Sequence, residues 1–302
     1  MFDLIIIGAS AAGMSAAIYA SRSGLKFLVV SENIGGNAAR VGLMENYMGF
    51  SSISGLELAK KFEEHFRSNS PEVVLGKVSE LTKKGEGFLV KINDKEYETK
   101  TVIVASGARH KKLEIPGEKE FSNKGVSYCE TCDGPIFKRK NVAVIGGGNS
   151  ALKAALSLSL IASKVYILTI GEAMKGEKTH IDKVKSLGNI EIIHQVKTTE
   201  FFGESLLKGI RYENLVSGEK KEIEVEGAFV YVGLTANTDF INKDLGVLDE
   251  RGEVVTDKFG KTQFPGLFAA GDVTDLPYRQ ISIASGAGTI ALLSALDYLT
   301  QK

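Results

Sequence analysis

Residues 4–30 read LIIIGASAAGMSAAIYASRSGLKFLVV. An apolar run ends at Gly8, the small-residue turn GASAAG follows as far as Gly13, apolar and small residues then recur at helical spacing up to Gly24, and a β-branched run closes the stretch. Strand, glycine turn, helix and strand in that order make a βαβ unit, whose turn sets backbone N–H groups at a helix N-terminus where they can cradle a pyrophosphate. The middle glycine of the G-x-G-x-x-G pattern is replaced by Ser10, with Ala12 and Gly13 completing the turn. The ribose-binding acid expected at the end of the second strand falls on Ser31, with Glu32 one place later. Residues 141–170, NVAVIGGGNSALKAALSLSLIASKVYILTI, repeat the pattern with GGGNSA (146–151) as the turn. The duplication predicts an α/β chain with two Rossmann-like, three-layer dinucleotide-binding domains.

Composition bounds the remaining choices. At 302 residues, 43% hydrophobic and 25% charged, the chain is long enough for two domains with their own cores. Its 37 basic and 37 acidic residues cancel, so net charge offers nothing to nucleic acid or an anionic membrane. The start, MFDLIIIG, lacks a positive leader and reads as a first buried strand rather than a secretory signal. No window holds the roughly 18–20 uninterrupted apolar residues of a membrane helix. The two cysteines share one motif, which suits a cytoplasmic protein whose thiols serve chemistry rather than stapling.

Between the two βαβ units, residues 32–55 are glycine-rich and aperiodic and read as a loop with polar side chains suited to a cofactor. Residues 57–66 have amphipathic helical spacing, 73–101 look like a β-meander, and KTVIVASGA (100–108) is an apolar strand ending in a small-residue turn. His65 and His110 are isolated and read as surface residues. IPGEKEF (115–121) carries the Pro-Gly punctuation of a linker into a second domain.

That linker leads to GVSYCETCDG (125–134), with Cys129 and Cys132 at C-x-x-C spacing and Asp133 beside the second sulfur. Two sulfurs so placed can close a small disulfide ring or open to a dithiol, one attacking a partner's disulfide and the other resolving it. A zinc site is the rival reading, but zinc takes about four ligands and the four histidines show no spacing relation to the pair. Asp133 is a candidate acid for the departing thiolate, or a helix N-cap.

The combination GGN with ENYMGF, VIVASGA, GVSYCETCDG, GGGNSA and the later FAAGDV and YRQ resembles the low-molecular-weight thioredoxin reductases of the flavoprotein disulfide reductase family along essentially the whole chain. The resemblance implies a discontinuous FAD-binding domain (1–114 and 242–302), a dithiol domain (115–241) and a homodimer. It implies that Cys132 faces the flavin, that Cys129 attacks thioredoxin and that Asp133 is the acid. It carries the FAD contacts onto Gly8, Ser10, Ala12, Gly13, Ser31, Glu32, Gly36, Asn37, Asn46, Gly107, Gly271, Asp272, Arg279, Gln280 and Ile281. Glu130 stands where alanine is usual, and a carboxylate there mildly disfavours a thiolate. Relatives that use NADPH follow the second βαβ unit with HRRxxxR, arginines that pair with the 2′-phosphate. Here Thr169, Ile170 and Gly171 fall on HRR and Lys175 on the last arginine, a departure that also resembles the ferredoxin-dependent flavin thioredoxin reductases. The expected donor is therefore reduced ferredoxin, with NADH or NADPH as the alternative. A reductase serving a peroxidase and a flavin-bound redox sensor are the competing functional classes.

Overall fold

Apolar alternation along the first strand dictates a sheet covered on both faces: Leu4 and Ile6 belong to one core, Ile5 and Ile7 to another, and all four are buried. A computed structural model describes residues 1–41 and 43–301, so Gly42, within the stretch read as a loop, lies outside the described residues. In chain order the elements begin with β1 (Phe2–Ala9), α1 (Ala11–Arg22), β2 (Phe27–Ile34), a 3-10 turn (Gly36–Arg40), β3 (Leu43–Met44), β4 (Ile53–Ser54) and α2 (Gly55–Ser68). Next come β5 (Val73–Leu75), β6 (Val78–Lys84), β7 (Gly87–Ile92), β8 (Lys95–Val104), β9 (Ala108–His110), β10 (Val126–Ser127), α3 (Glu130–Asp133) and a second 3-10 turn (Gly134–Phe137). The chain continues with β11 (Asn141–Ile145), α4 (Asn149–Ser159), β12 (Lys164–Leu168), α5 (Lys178–Ser186), β13 (Ile190–Ile193), β14 (Val196–Gly203), β15 (Leu207–Asn214) and β16 (Lys220–Glu224). It closes with β17 (Gly227–Val230), β18 (Leu234–Ala236), β19 (Leu267–Ala269) and α6 (Ile281–Thr300). These fold into two compact units, Met1–Arg109 with Thr235–Lys302, and His110–Leu234.

In the first unit the sheet runs β5-β2-β1-β8-β7-β6, with β19 also on β8. Around β1 the pairing is parallel, and β6 and β7 join antiparallel. The runs KEYETK and KTVIV, which read separately as the end of a meander and a new strand, are one ten-residue strand. Its polar first half pairs with β7, and its apolar second half, Val102–Val104, pairs with β19. One face of the sheet is covered by α1 and α6, through Ala16, Ala17, Ala20, Ala291, Leu292 and Ala295. Small residues let these helices approach closely, and Ser15 and Thr289 share a hydroxyl hydrogen bond of 2.8 Å. By length and composition α6 could cross a membrane, with a mean hydropathy of 1.3; here its inner face packs on α1. The stretch read as a loop is more ordered than its pattern suggests, holding the first 3-10 turn and the β3–β4 pair. Ser54 then caps α2 by accepting from the Glu57 N–H.

The second unit has a five-stranded parallel sheet, β10-β17-β11-β12-β13, and a separate antiparallel sheet, β14-β15-β16. Val142, Val144, Val165 and Ile167 pack under α4, while Ala143, Ile145, Ala228 and Val230 pack on Phe201, Ile210 and Tyr212 of the antiparallel sheet. Both cores follow from the two-residue alternation of buried strands.

Candidate functional site

In the second unit, Cys129 and Cys132 are joined as a disulfide with Cα atoms 5.3 Å apart. Cys129 sits at the N-cap of the single turn α3, and its sulfur accepts the backbone N–H of Cys132 at 3.2 Å. Once the ring opens, that donor is placed to hold a thiolate on Cys129. Cys129 is half-buried and Cys132 exposed. The Asp133 side chain does not cap the 3-10 turn that follows it, contrary to one of the two readings of that residue. Instead its Oδ2 accepts from Ser127 Oγ at 2.6 Å, and the same hydroxyl accepts the Cys129 N–H at 3.0 Å. Ser127 therefore fixes the carboxylate and the backbone of the first cysteine together. Glu130, inside the motif, is bonded to Tyr231: the Tyr231 hydroxyl donates to Oε2 and accepts the Glu130 backbone N–H. Tyr128 donates at 2.7 Å to Glu118, a buried carboxylate that also accepts from Leu113 and Glu114 N–H. Burial, then the Glu118 hydrogen bond, pushes the Tyr128 phenol well above its usual range. Among the described residues no cluster of three or more His, Cys, Asp and Glu could hold a metal ion.

The second glycine turn lies in the same unit. Gly146 has φ +142° and a Cβ there would meet the Tyr231 carbonyl at 2.2 Å; a Cβ on Gly147 would meet Thr169 Oγ1 at 2.4 Å. Thr169 is buried and its hydroxyl accepts from the Gly171 N–H, Ile170 is exposed, and Lys175 gives its backbone N–H to Gly147. Of the three positions where phosphate-binding arginines would fall, Ile170 and Gly171 carry no cation and Lys175 carries a single ammonium.

The first unit brings most of the expected cofactor residues around the N-terminus of α1. Gly8 has φ +115°, and a Cβ there would lie 2.2 Å from the Ala105 carbonyl; a Cβ on Gly13 would fall 1.8 Å from the Gly8 carbonyl. The turn is closed as tightly as backbone permits. Ser10 does not cap the helix. Its hydroxyl donates to Gly35 O at 2.7 Å and its Cβ lies 2.9 Å from where one on Gly36 would stand, so the first-turn N–H groups of α1 face outward without a side-chain cap. Ser31 spends its hydroxyl inside the fold, donating to Asn33 O and accepting the Ala9 N–H. Glu32, the next residue, is exposed. Gly271, with φ +80°, approaches Ala12, and Asp272 follows it, its carboxyl pushed up by burial against a smaller opposing pull from Arg279.

Of the remaining positions, Asn46 Nδ2 donates to Gln280 Oε1 at 3.3 Å and Ile281 packs on Met44, Ile53 and Leu58, which joins those two segments. Asn37 gives its amide to Ala108 O at 2.6 Å, and a Cβ on Gly107 would meet open space. Arg279 pairs with Glu253, a buried carboxylate that sequence reasoning did not reach, while its Nε is buried without a partner. Ser127, Tyr231 and Glu118 were likewise missed, and only Ser127 is close enough in sequence to have been found. His65 is exposed as expected, but His110 is half-buried, its ring edge-on to Tyr231 at 5.6 Å, because two aromatic side chains converge on it.

Comparison with known proteins shows what this arrangement is similar to. Residues 2–289 match the family described as pyridine nucleotide-disulphide oxidoreductase. The F subunit of alkyl hydroperoxide reductase in Staphylococcus aureus is 41% identical over 302 residues, and a protein named NADH dehydrogenase from Bacillus subtilis is 40% identical over 303. Both matches take in 99% of this chain but 59% of the relative, so the chain spans about three fifths of the length of these proteins. Among solved structures, thioredoxin reductase of Lactococcus lactis superposes with a TM-score of 0.96 at 36% identity, covering 100% of both chains. Thioredoxin reductase of T. acidophilum gives 0.91 at 42%, covering 99% of this chain and 98% of that one. A ferredoxin-flavin thioredoxin reductase of Clostridium acetobutylicum gives 0.55 at 30%, covering 99% and 98%. The cofactor of such proteins is FAD, and the first unit fits it: the turn at Gly8–Gly13 has no room for side chains, the α1 N-terminus is uncapped, and Glu32 stands exposed at the end of β2. With two glycine-turn folds and a C-x-x-C disulfide on one chain, and a match over residues 2–289, this protein belongs to the pyridine nucleotide-disulphide oxidoreductase family.

Proposed function

We propose that the chain is an FAD-dependent thioredoxin reductase that passes electron pairs through Cys129 and Cys132 to the disulfide of thioredoxin. The observation that carries this reading is the motif's local geometry: a closed disulfide, a backbone donor on the Cys129 sulfur, and Asp133 held by Ser127. FAD, when bound, takes up electrons singly or in pairs and supplies a pair to a disulfide. Reduction breaks the Cys129–Cys132 bond. The Cys129 thiolate then attacks one sulfur of the partner's disulfide, forming a mixed disulfide as the partner's bond breaks, and Asp133 gives a proton to the sulfur that leaves. Attack of Cys132 on Cys129 re-forms the internal disulfide and releases the partner as a dithiol, two electrons and two protons richer.

The donor in this proposal is reduced ferredoxin, supported by the missing 2′-phosphate clamp at Thr169, Ile170 and Gly171. A second reading, NADH as donor, is favoured by the intact glycine turn at Gly146–Gly148 and by the relative named NADH dehydrogenase. The relatives named as alkyl hydroperoxide reductase components favour a peroxidase-linked partner as the alternative to thioredoxin. We take the enzyme to work in the cytoplasm as a homodimer; the outward stripe Ile283, Ile290 and Leu293 on α6 supports the dimer.

The test is anaerobic. FAD-loaded protein is mixed separately with NADPH, NADH and reduced ferredoxin, and flavin absorbance is followed; rapid bleaching by either nucleotide at micromolar levels overturns the ferredoxin assignment. Oxidised thioredoxin is then added, and retained turnover in Cys132→Ser overturns the dithiol route.

A further inference from the structure

The motif carries a carboxylate that the reaction described above does not use. Glu130 lies between the two cysteines in sequence, and its nearest partner comes from 101 residues away: the Tyr231 hydroxyl, which binds both its carboxylate and its backbone N–H. Thr131 Oγ1 donates to the other oxygen at 3.2 Å. Glu130 and Tyr231 are both partly buried. Burial, and next the Glu130 charge, holds the Tyr231 phenol well above its usual range, so this residue stays a donor to the carboxylate at any working pH. The carboxylate is therefore pinned at the redox turn instead of swinging into water, where its field would be screened.

We propose that Glu130, fixed by Tyr231, is a positioning residue that holds a negative charge beside the two sulfurs and restrains thiolate formation in the reduced motif. It opposes the backbone donor on Cys129, so that small electrophiles in solution meet mostly thiol. The other titratable groups on the elements packed around α3 are Asp133, taken by Ser127; Tyr128, on Glu118; His110, on the Tyr231 ring; and Lys153 on the exposed face of α4. The 3-10 turn Gly134–Phe137 contributes none. Glu130 is adjacent to Cys129 and two residues from Cys132; taking about 7 Å as the scale of such a separation and an effective dielectric of about 40–80, Coulomb's law disfavours the thiolate by about 0.4–0.9 pH unit.

The inference rests on the dithiol being the working group of the proposed reductase, and its test reads the dithiol directly. FAD-loaded protein, reduced with dithiothreitol and desalted anaerobically, is alkylated with iodoacetamide across neutral and alkaline pH, and the midpoint of the rate profile is measured. Glu130→Gln, which keeps the shape and removes the charge, is expected to lower the midpoint by about 0.4–0.9 unit, which speeds alkylation near neutral pH by about three- to eight-fold. Tyr231→Phe is expected to move the midpoint the same way by no more than that, and to add nothing in the Glu130→Gln background. A Glu130→Gln midpoint coincident with the parent overturns the proposal, and so does a Tyr231→Phe shift of equal size in both backgrounds. Should Tyr231→Phe lose its flavin or its thermal transition, the Glu130→Gln profile decides alone. Thioredoxin turnover measured beside it separates the two ideas: its absence in the parent protein sinks the reductase reading while leaving the alkylation result standing.

Discussion

Replacing Gly288 by alanine sets two effects of known size against each other. Alanine is better in a helix interior than glycine by about 1 kcal/mol, so at an open position in α6 the change stabilises. At Gly288 the new Cβ would stand 2.0 Å from the Ala12 carbonyl oxygen, 2.7 Å from its carbon and 2.9 Å from its Cα. All three are backbone atoms, so no rotamer change relieves the clash, and α6 must back away from α1 by about 1 Å or more. Overpacking of this kind costs about 1–3 kcal/mol, and loosening the contacts of Ala291, Leu292 and Ala295 on α1 places it at the upper end. The clash wins, with a net loss of about 2 kcal/mol. Ala12 belongs to the first turn of α1, so its displacement also misaligns the N–H groups that would meet the pyrophosphate of a bound FAD, and FAD affinity should fall about tenfold. Calorimetry of the FAD-free protein and fluorescence titration with FAD measure the two losses. Gly286→Ala, two residues away with nothing within 4 Å of its would-be Cβ, is the control and is expected to raise stability by about 0.5–1 kcal/mol. If Gly288→Ala behaved like Gly286→Ala, with unchanged FAD binding and a higher melting temperature, the close approach of α1 and α6 would be refuted.

Ser127→Ala removes a charge-assisted hydrogen bond worth about 1.5–3 kcal/mol to Asp133. It is expected to slow dithiol release about tenfold with little change in the KM for thioredoxin, and Ser127→Thr should restore the rate; stopped-flow measurement of thioredoxin reduction checks both. For Asp272 the sign follows from its raised folded-state pKa: above that value the folded protein bears the cost of a part-buried charge, and the cost disappears as pH falls below the ordinary carboxylate value. Asp272→Asn should therefore raise the melting temperature of FAD-free protein at neutral pH, by an amount that shrinks to nothing in acid, while weakening FAD binding. A gain that persists unchanged to low pH would show that burial of the charge is not its cause.

The parts of the fold and site that were legible in sequence are those written in contiguous residues. The glycine turns at Gly8 and Gly146, their flanking strands and helices, and the C-x-x-C motif each lie within about 30 residues, and the two- and four-residue periodicities of strands and helices mark them. Where a single segment changes environment midway the pattern misleads: β8 reads as two strands because its first half is edge-like and polar and its second half central and apolar. Asp133 shows the other failure. An acid just before a turn has the sequence signature of a cap, yet Ser127 competes successfully for its carboxylate.

The sequence by itself determined that this chain holds two nucleotide-type folds and a redox pair, because strand, turn and helix formation and sulfur exchange depend on near neighbours. Only the tertiary structure decided which side chains tune them. Tyr231 reaches Glu130 across 101 residues, Glu253 reaches Arg279 across 26, and Ser15 of α1 meets Thr289 of α6 across 274. Such pairs are chosen by packing, where a buried polar group must find a partner wherever the fold brings one, and no local pattern in the chain records that choice.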